Sequence, residues 1–114
     1  MATAEELITR TVHGYFEGWH DADVARMERA TDLHLAKRSS AEDDGAILTE
    51  DAMLGACAEG EGTRAADRWL TIDIVDVCGG IASIVVRSVP NREYLHLIRT
   101  GGEWKIANAL WLPQ

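Results

Sequence analysis

The sequence predicts an α+β domain in which three helices precede a long antiparallel sheet and pack on one face of it. Two observations indicate this fold class. Apolar residues mostly recur with the helical period in the first half of the chain, whereas from Leu70 onward they mostly alternate with polar residues. Glycine pairs at 79–80 and 101–102 separate the alternating segments, as tight turns between neighbouring strands do.

Each predicted helix follows a residue that can cap it. Thr3 is followed by Glu6 in the spacing of a capping box, and the helix behind it carries a single apolar stripe that ends at Trp19. Asp23 is a suitable N-cap for a second, short helix, and Thr49 for a third.

Five strands are expected around these helices. A short one at residues 33–38 shows alternating leucines, and the others are expected at 70–77, 81–88, 92–100 and 103–112. The apolar positions change parity between Ile74 and Val75, which predicts a β-bulge there.

Composition limits the classes of partner. The 114 residues are 46% hydrophobic and 26% charged, which is typical of one globular domain, here residues 1–114. Nineteen acidic residues against eleven basic ones give a net charge of −8. This charge argues against nucleic acid and anionic membranes, which attract basic surfaces. No apolar run is long enough for a signal peptide or a membrane span, so neither is expected.

The two cysteines and the absence of several known motifs limit the kinds of reaction and cofactor that are expected. Cys57 and Cys78 cannot form a disulfide framework, so both are expected to be reduced core residues of a cytoplasmic protein. Neither has a histidine near it in the sequence, which disfavours a cysteine nucleophile. There is no phosphate-binding glycine loop, no nucleophile elbow and no metal-ligand spacing. We therefore expect neither a metal nor a cofactor.

A small-molecule site is predicted where the sheet meets the first helix. If the strand faces carrying His96 and Asn108 turn toward the helices, they bring polar groups beneath Tyr15 and Trp19. A mostly apolar hollow with a few convergent polar groups is typical of ligand sites. The alternative for each of these residues is a structural role in the core, with its polar group hydrogen-bonded to the protein.

The remaining polar residues are weaker candidates for ligand contacts. Lys37 and Arg38 are neighbours on a strand and therefore face opposite ways. One of them could point inward or lie at an open rim, where it would pair with an acid or meet an anionic ligand; a solvated rim charge is the alternative. His13, His20 and the acidic run at 42–44 are expected on the solvated surface.

Several strings in the sequence resemble the lumazine-binding branch of the nuclear transport factor two-like superfamily. They are YFEGW at 15–19, DVARMERA at 23–30, LAKR at 35–38, YLHL at 94–97 and GEWKIANALW at 102–111. The resemblance spans nearly the whole chain. It implies a cone-shaped, cystatin-like fold, in which a strongly curved antiparallel sheet wraps the first helix and leaves a pocket between them. It also implies a homodimer formed through the outer face of the sheet.

Steroid isomerases of this superfamily suggest roles for individual residues. The resemblance matches Tyr15 to their helix tyrosine and His96 to their late-strand acid, the two groups that polarise a substrate carbonyl. Ser39, or basic Lys37 and Arg38, lies where their proton-transferring aspartate would be. Because a serine or a protonated lysine is a poor general base, isomerase activity by that mechanism is not expected.

Three functions stay open at this point. The first is a binding protein for an apolar or aromatic small molecule. The second is an isomerase, dehydratase or cyclase that uses His96 as acid–base and Tyr15 as hydrogen-bond donor. The third is a structural homodimer with a filled interior. The predicted ligand contacts are Tyr15, Phe16, Trp19, Lys37, Met53, Tyr94, His96, Asn108 and Leu110.

Overall fold

Helices and strands follow one another in nearly the predicted order. The computed structural model describes residues 1–41, 45–65, 67–89 and 91–113, so the acidic run at 42–44 lies outside the described residues. The elements within these ranges are α1 (Ala4–Asp21), α2 (Val24–Ala30), β1 (Thr31–Arg38), α3 (Glu50–Ala58), a 3₁₀ helix (Glu61–Arg64), β2 (Leu70–Cys78), β3 (Ile81–Ser88), β4 (Asn91–Thr100) and β5 (Glu103–Pro113).

The three predicted helix caps are confirmed. The side chains of Thr3, Asp23 and Thr49 each accept a hydrogen bond from the backbone N–H three residues further on, at 3.1, 3.1 and 3.2 Å. Each cap satisfies one of the N–H groups that the first turn of a helix leaves without a partner. None of the described helices combines the length and the apolar character needed to cross a bilayer.

The five strands form one curved, mixed sheet in the order β1-β5-β4-β3-β2. The four strands from β2 to β5 are antiparallel neighbours, as predicted, but β1 pairs with β5 in parallel. The expectation of a wholly antiparallel sheet is therefore wrong for β1. The physical reason is its connection: α3 and the 3₁₀ helix separate β1 from β2, so no hairpin turn dictates the direction of β1.

Bulges in β2 and β5 help to set which residues of the sheet face the helices. The bulge predicted in β2 is confirmed by a register shift between Ile74 and Asp76. A second one lies in β5, where the pairing passes from His96–Asn108 to Leu97–Ile106 and leaves Ala107 as an extra residue. Because the side-chain period of a strand is two, this extra residue reverses the alternation along β5.

The core lies between the inner face of the sheet and the helices. Ile8 and Val12 of α1, Ile84 of β3 and Leu95 of β4 are among its fully buried side chains. Gly18 lets α2 approach α1, since a Cβ atom at this position would lie 2.9 Å from the backbone nitrogen of Met27.

One cysteine belongs to this core and the other does not. Cys57 is buried, as expected, and its thiol donates a hydrogen bond to the Gly18 carbonyl at 3.4 Å. Cys78 is exposed at the end of β2, so the expectation that it is a core residue is wrong. Its side chain follows the bulge in β2, where the alternation between the two faces changes.

Candidate functional site

A cavity of about 720 Å³ lies between α1, α3, the 3₁₀ helix and the inner face of the sheet. Its volume falls within the range of small-molecule sites. Its principal walls are the side chains of Tyr15, Phe16, Trp19, Lys37, Met53, Glu93 and Trp111.

Three buried polar side chains meet on one wall of this cavity. The Lys37 ammonium donates one hydrogen bond to the Tyr15 hydroxyl at 2.7 Å and another to Glu93 Oε1 at 3.0 Å. Lys37 is 8% exposed and Glu93 3% exposed, so their ion pair is almost wholly removed from water. We call Tyr15, Lys37 and Glu93 the polar triad.

The backbone of the sheet fixes where the triad forms. Lys37 pairs with Ala109 of β5 and, on its other side, exchanges hydrogen bonds of 2.9 and 2.8 Å with Leu48. Glu93 pairs with Trp111 of the same strand β5. Both charged residues therefore project from strands that are already held on either side of β5.

The polar triad has a defined protonation pattern. Burial raises the pKa of Tyr15 above its ordinary value of 10.0, so the hydroxyl is neutral at neutral pH. Burial by itself lowers the pKa of Lys37, but its interactions with Tyr15 and Glu93 raise the pKa more, and the side chain stays protonated.

The raised pKa of Tyr15 has a consequence for stability. The unfolded chain gives up this proton at a lower pH than the folded chain does. The contribution of Tyr15 to stability is therefore complete below pH 10.0 and is lost as the pH rises through the folded pKa.

The O–H group of Tyr15 remains available to donate a hydrogen bond. An ammonium group has no lone pair, so Lys37 can only donate to the Tyr15 oxygen and cannot accept from it. Within the described residues, the Tyr15 hydroxyl makes this one hydrogen bond. Because Tyr15 lines the cavity, the triad can offer an O–H donor to a molecule bound there.

Aromatic rings surround the triad. The Tyr15 and Phe16 rings meet edge to face at 5.1 Å, and the Lys37 nitrogen lies 5.8 Å from the centre of the Trp111 ring. Gly62 packs directly against Trp19, since a Cβ atom at position 62 would lie only 2.2 Å from the Trp19 carbonyl oxygen. These rings give the cavity mainly apolar walls around its buried charges.

The close approach of the 3₁₀ helix also changes the environment of His20. Its Nδ1 lies 3.0 Å from the Gly62 carbonyl oxygen, and the half-buried side chain lines the cavity. The expectation that His20 is solvated surface is therefore wrong, whereas His13 is exposed as expected.

Five of the nine predicted ligand contacts lie together in the cavity. They are Tyr15, Phe16, Trp19, Lys37 and Met53. Of the pair Lys37 and Arg38, it is Lys37 that points inward, and Arg38 is exposed. The inward-facing charge thus pairs with an acid, which was one of the two possibilities for it.

The other four predicted contacts, Tyr94, His96, Asn108 and Leu110, are exposed on the outer face of the sheet. The prediction that His96 and Tyr15 share one enclosed space is therefore wrong. In β4 the inner positions belong to Glu93, Leu95 and Leu97, and the opposite parity faces out.

The bulge in β5 explains the errors on that strand. Trp104 and Ile106 are buried before the extra residue Ala107, whereas Asn108 and Leu110 after it face outward. Regular alternation of side chains along β5, without the bulge, would place all four of these residues on the same face.

The outer face brings His96 and Asn108 together at a separate place. Cross-strand pairing aligns Asp76, Ser83, His96 and Asn108 in one row across β2, β3, β4 and β5. The row lies in a groove of about 390 Å³ on the side of the sheet away from the triad.

Sequence reasoning missed Glu93 and Trp111. Regular alternation from Asn108 places Trp111 on the face opposite to Asn108, and sequence reasoning gave it no role in the cavity; it follows the β5 bulge and lines the cavity. For Glu93 a signal existed: it is in phase with Leu95 and Leu97, so a buried strand face predicts a buried carboxylate that needs a cationic partner. The described residues contain no group of three or more His, Cys, Asp or Glu side chains placed to hold a metal ion.

Solved structures similar to this chain identify the class of fold. A nuclear transport factor two-like protein of unknown function from Silicibacter pomeroyi matches with a TM-score of 0.74 and 20% identity, over 100% of both chains. One from Cytophaga hutchinsonii matches with a TM-score of 0.76 and 14% identity, over 99% of this chain and 100% of that one. A ketosteroid isomerase-like protein from Erwinia carotovora atroseptica has a TM-score of 0.68 and 14% identity, over 97% and 98%.

These similarities show that the chain has the nuclear transport factor two-like fold, as the sequence strings indicated. A family model described as "Putative lumazine-binding" matches residues 3–112, and the chain belongs to this family. No curated protein matches the chain.

We predict that Lys37→Met destabilises the fold by about 3–5 kcal/mol, because it leaves the Glu93 carboxylate buried without its cation. The double variant Lys37→Met/Glu93→Leu should recover part of this loss, since both charges are then gone. Urea unfolding measures the free energies.

Arg38→Met is the matched control, since Arg38 is the exposed neighbour on the same strand. It should cost less than about 0.5 kcal/mol. If Lys37→Met costs no more than Arg38→Met, the ion pair does not have the structural role assigned to it.

Proposed function

We propose that the chain is a small-molecule-binding protein whose central cavity takes an apolar or aromatic ligand that carries a hydrogen-bond acceptor. The polar triad on the cavity wall is the observation that carries this proposal. It offers a buried O–H donor inside a mainly apolar cavity, and such a group can orient a ring there.

The walls favour a flat ligand. Phe16, Trp19 and Trp111 provide ring faces or edges, and Met53 provides an adaptable apolar side chain. A carbonyl oxygen placed against Tyr15 would accept a hydrogen bond from the Tyr15 O–H, which Lys37 cannot do. The word lumazine in the family description names a planar heteroaromatic compound with carbonyl oxygens, and this chemistry agrees with the donor and the walls.

An enzyme of the isomerase, dehydratase or cyclase kind is the alternative. The version that relies on His96 is excluded because His96 is exposed on the outer face of the sheet and does not line the cavity that contains Tyr15. The ketosteroid isomerase-like protein is 14% identical to this chain, and at that identity the similarity shows a common fold and nothing about activity. A filled interior, the third possibility, disagrees with the cavity of about 720 Å³.

Lumazine is the first probe for this proposal. We expect it to raise the melting temperature of the wild type, because a ligand that binds only the folded state stabilises it. Tyr15→Phe should weaken binding about tenfold, since it removes one hydrogen bond in a dry site. Calorimetric titration gives the two dissociation constants, and a panel of aromatic carbonyl compounds extends the search.

His96→Ala is the control, and it should bind the probe as the wild type does. Equal binding by wild type and Tyr15→Phe would contradict the proposed orientation. Failure of lumazine and of the whole panel to stabilise the protein would contradict the binding function. Turnover of a bound compound, abolished by Tyr15→Phe, would support the enzyme alternative instead.

The outer face of the sheet supports a second part of the proposal, a homodimer. Ile81 and Ile98 are cross-strand partners, as are Tyr94 and Leu110, and all four side chains are exposed. The two pairs flank the polar row that contains His96. Exposed apolar surface of this kind is costly to leave in water, and the same surface of a second copy can cover it. The two free cysteines agree with the expected cytoplasmic compartment.

Leu110→Asp should convert this dimer to a monomer, because it places a carboxylate within this apolar surface. Leu33→Asp is the matched control, since Leu33 is exposed on β1 outside the two apolar pairs and its substitution should leave the dimer intact. Size-exclusion chromatography with light scattering measures the mass of each. A wild type that is monomeric at high micromolar concentration would contradict the dimer.

A further inference from the structure

A second groove, of about 330 Å³, lies on the opposite flank of α1, between α1, α2 and the turn that joins β4 to β5. Arg10 of α1 and Arg26 and Arg29 of α2 line it together with Trp104 of β5. Three of the eleven basic residues of a chain with net charge −8 thus meet in one place. We call it the arginine groove.

The charges of the arginine groove are only partly neutralised. Arg26 forms an ion pair with Glu17, and the acid that lines the groove, Glu103, lies 3.8 Å from the Lys105 ammonium. For Arg10 and Arg29, no ion pair or side-chain hydrogen bond is found among the described residues. Two guanidinium groups are therefore available to an external anion, and each presents a planar fork of donors.

Trp104 adds an independent observation. It is 3% exposed, and its indole nitrogen is buried without an acceptor in the part of the chain that the structure describes. A buried N–H without a partner is costly, so such groups usually find an acceptor in the protein, in water or in a ligand. The side chain that has this unpaired N–H thus lines the same groove as Arg10 and Arg29.

We propose that the arginine groove binds a phosphoryl group, either as inorganic phosphate or as the head of a small phosphate monoester. A phosphoryl dianion matches the charge of the two unpaired arginines, and guanidinium groups bind its oxygens in pairs. The volume leaves room for a small organic group beside the phosphoryl oxygens. This site is separate from the central cavity and does not depend on the function proposed for it.

Titration with inorganic phosphate and with phenyl phosphate at low ionic strength tests the proposal. Binding is followed by nuclear magnetic resonance of the four tryptophan indole N–H groups, with Trp104→Phe identifying the Trp104 signal. We expect a saturable shift of that signal. Arg10→Gln/Arg29→Gln should weaken binding roughly tenfold or more, because it removes two charge-assisted contacts from exposed positions.

Arg38→Gln/Arg87→Gln is the matched control, because it changes the net charge equally at residues outside the groove. Unchanged binding in this variant supports the site, and tighter binding of phenyl phosphate than of phosphate indicates the monoester as the natural form. A wild type without a saturable shift, or equal weakening in the two double variants, would overturn the proposal.

Discussion

The buried ion pair between Lys37 and Glu93 is the constraint on which the arrangement of the inner sheet face depends. Neither charge can be left alone in a nearly dry interior, so the two strands that carry them must lie within reach of one another across β5. Tyr15 extends the contact to α1 through the same ammonium. One cation therefore links the long helix, the parallel strand β1 and the antiparallel strand β4.

The two faces of the sheet differ in their chemistry. On the inner face, the buried ion pair lies within the triad, and aromatic and aliphatic side chains provide much of the remaining cavity wall. On the outer face, a row of polar side chains that includes His96 crosses a largely apolar surface. The inner face thus suits an enclosed ligand with one acceptor, and the outer face suits contact with another flat surface. Function on this fold is argued from these sites, since the fold is shared by proteins of different activities.

Local signals in the sequence predicted most of the elements, and they failed where a side chain's face depends on distant pairing. The cap at Thr3 and the bulge near Ile74 are encoded by adjacent residues, so both could be predicted. The bulge at Ala107 exists because of the register between β4 and β5, and nothing in the local pattern marks it. Both parities of β4 carry two apolar residues, so alternation alone did not show that Glu93 rather than His96 faces the helices.

Alkaline titration of the tyrosines, followed by ultraviolet absorbance, tests the triad most directly. The component that disappears in Tyr15→Phe should titrate above the ordinary value of 10.0, because burial holds the proton on the hydroxyl. In Lys37→Met, if the chain remains folded, it should titrate higher still, since the cation that favours the phenolate is gone. A Tyr15 component at or below its ordinary pKa, or one that Lys37→Met leaves unmoved, would contradict the buried contact between these two side chains.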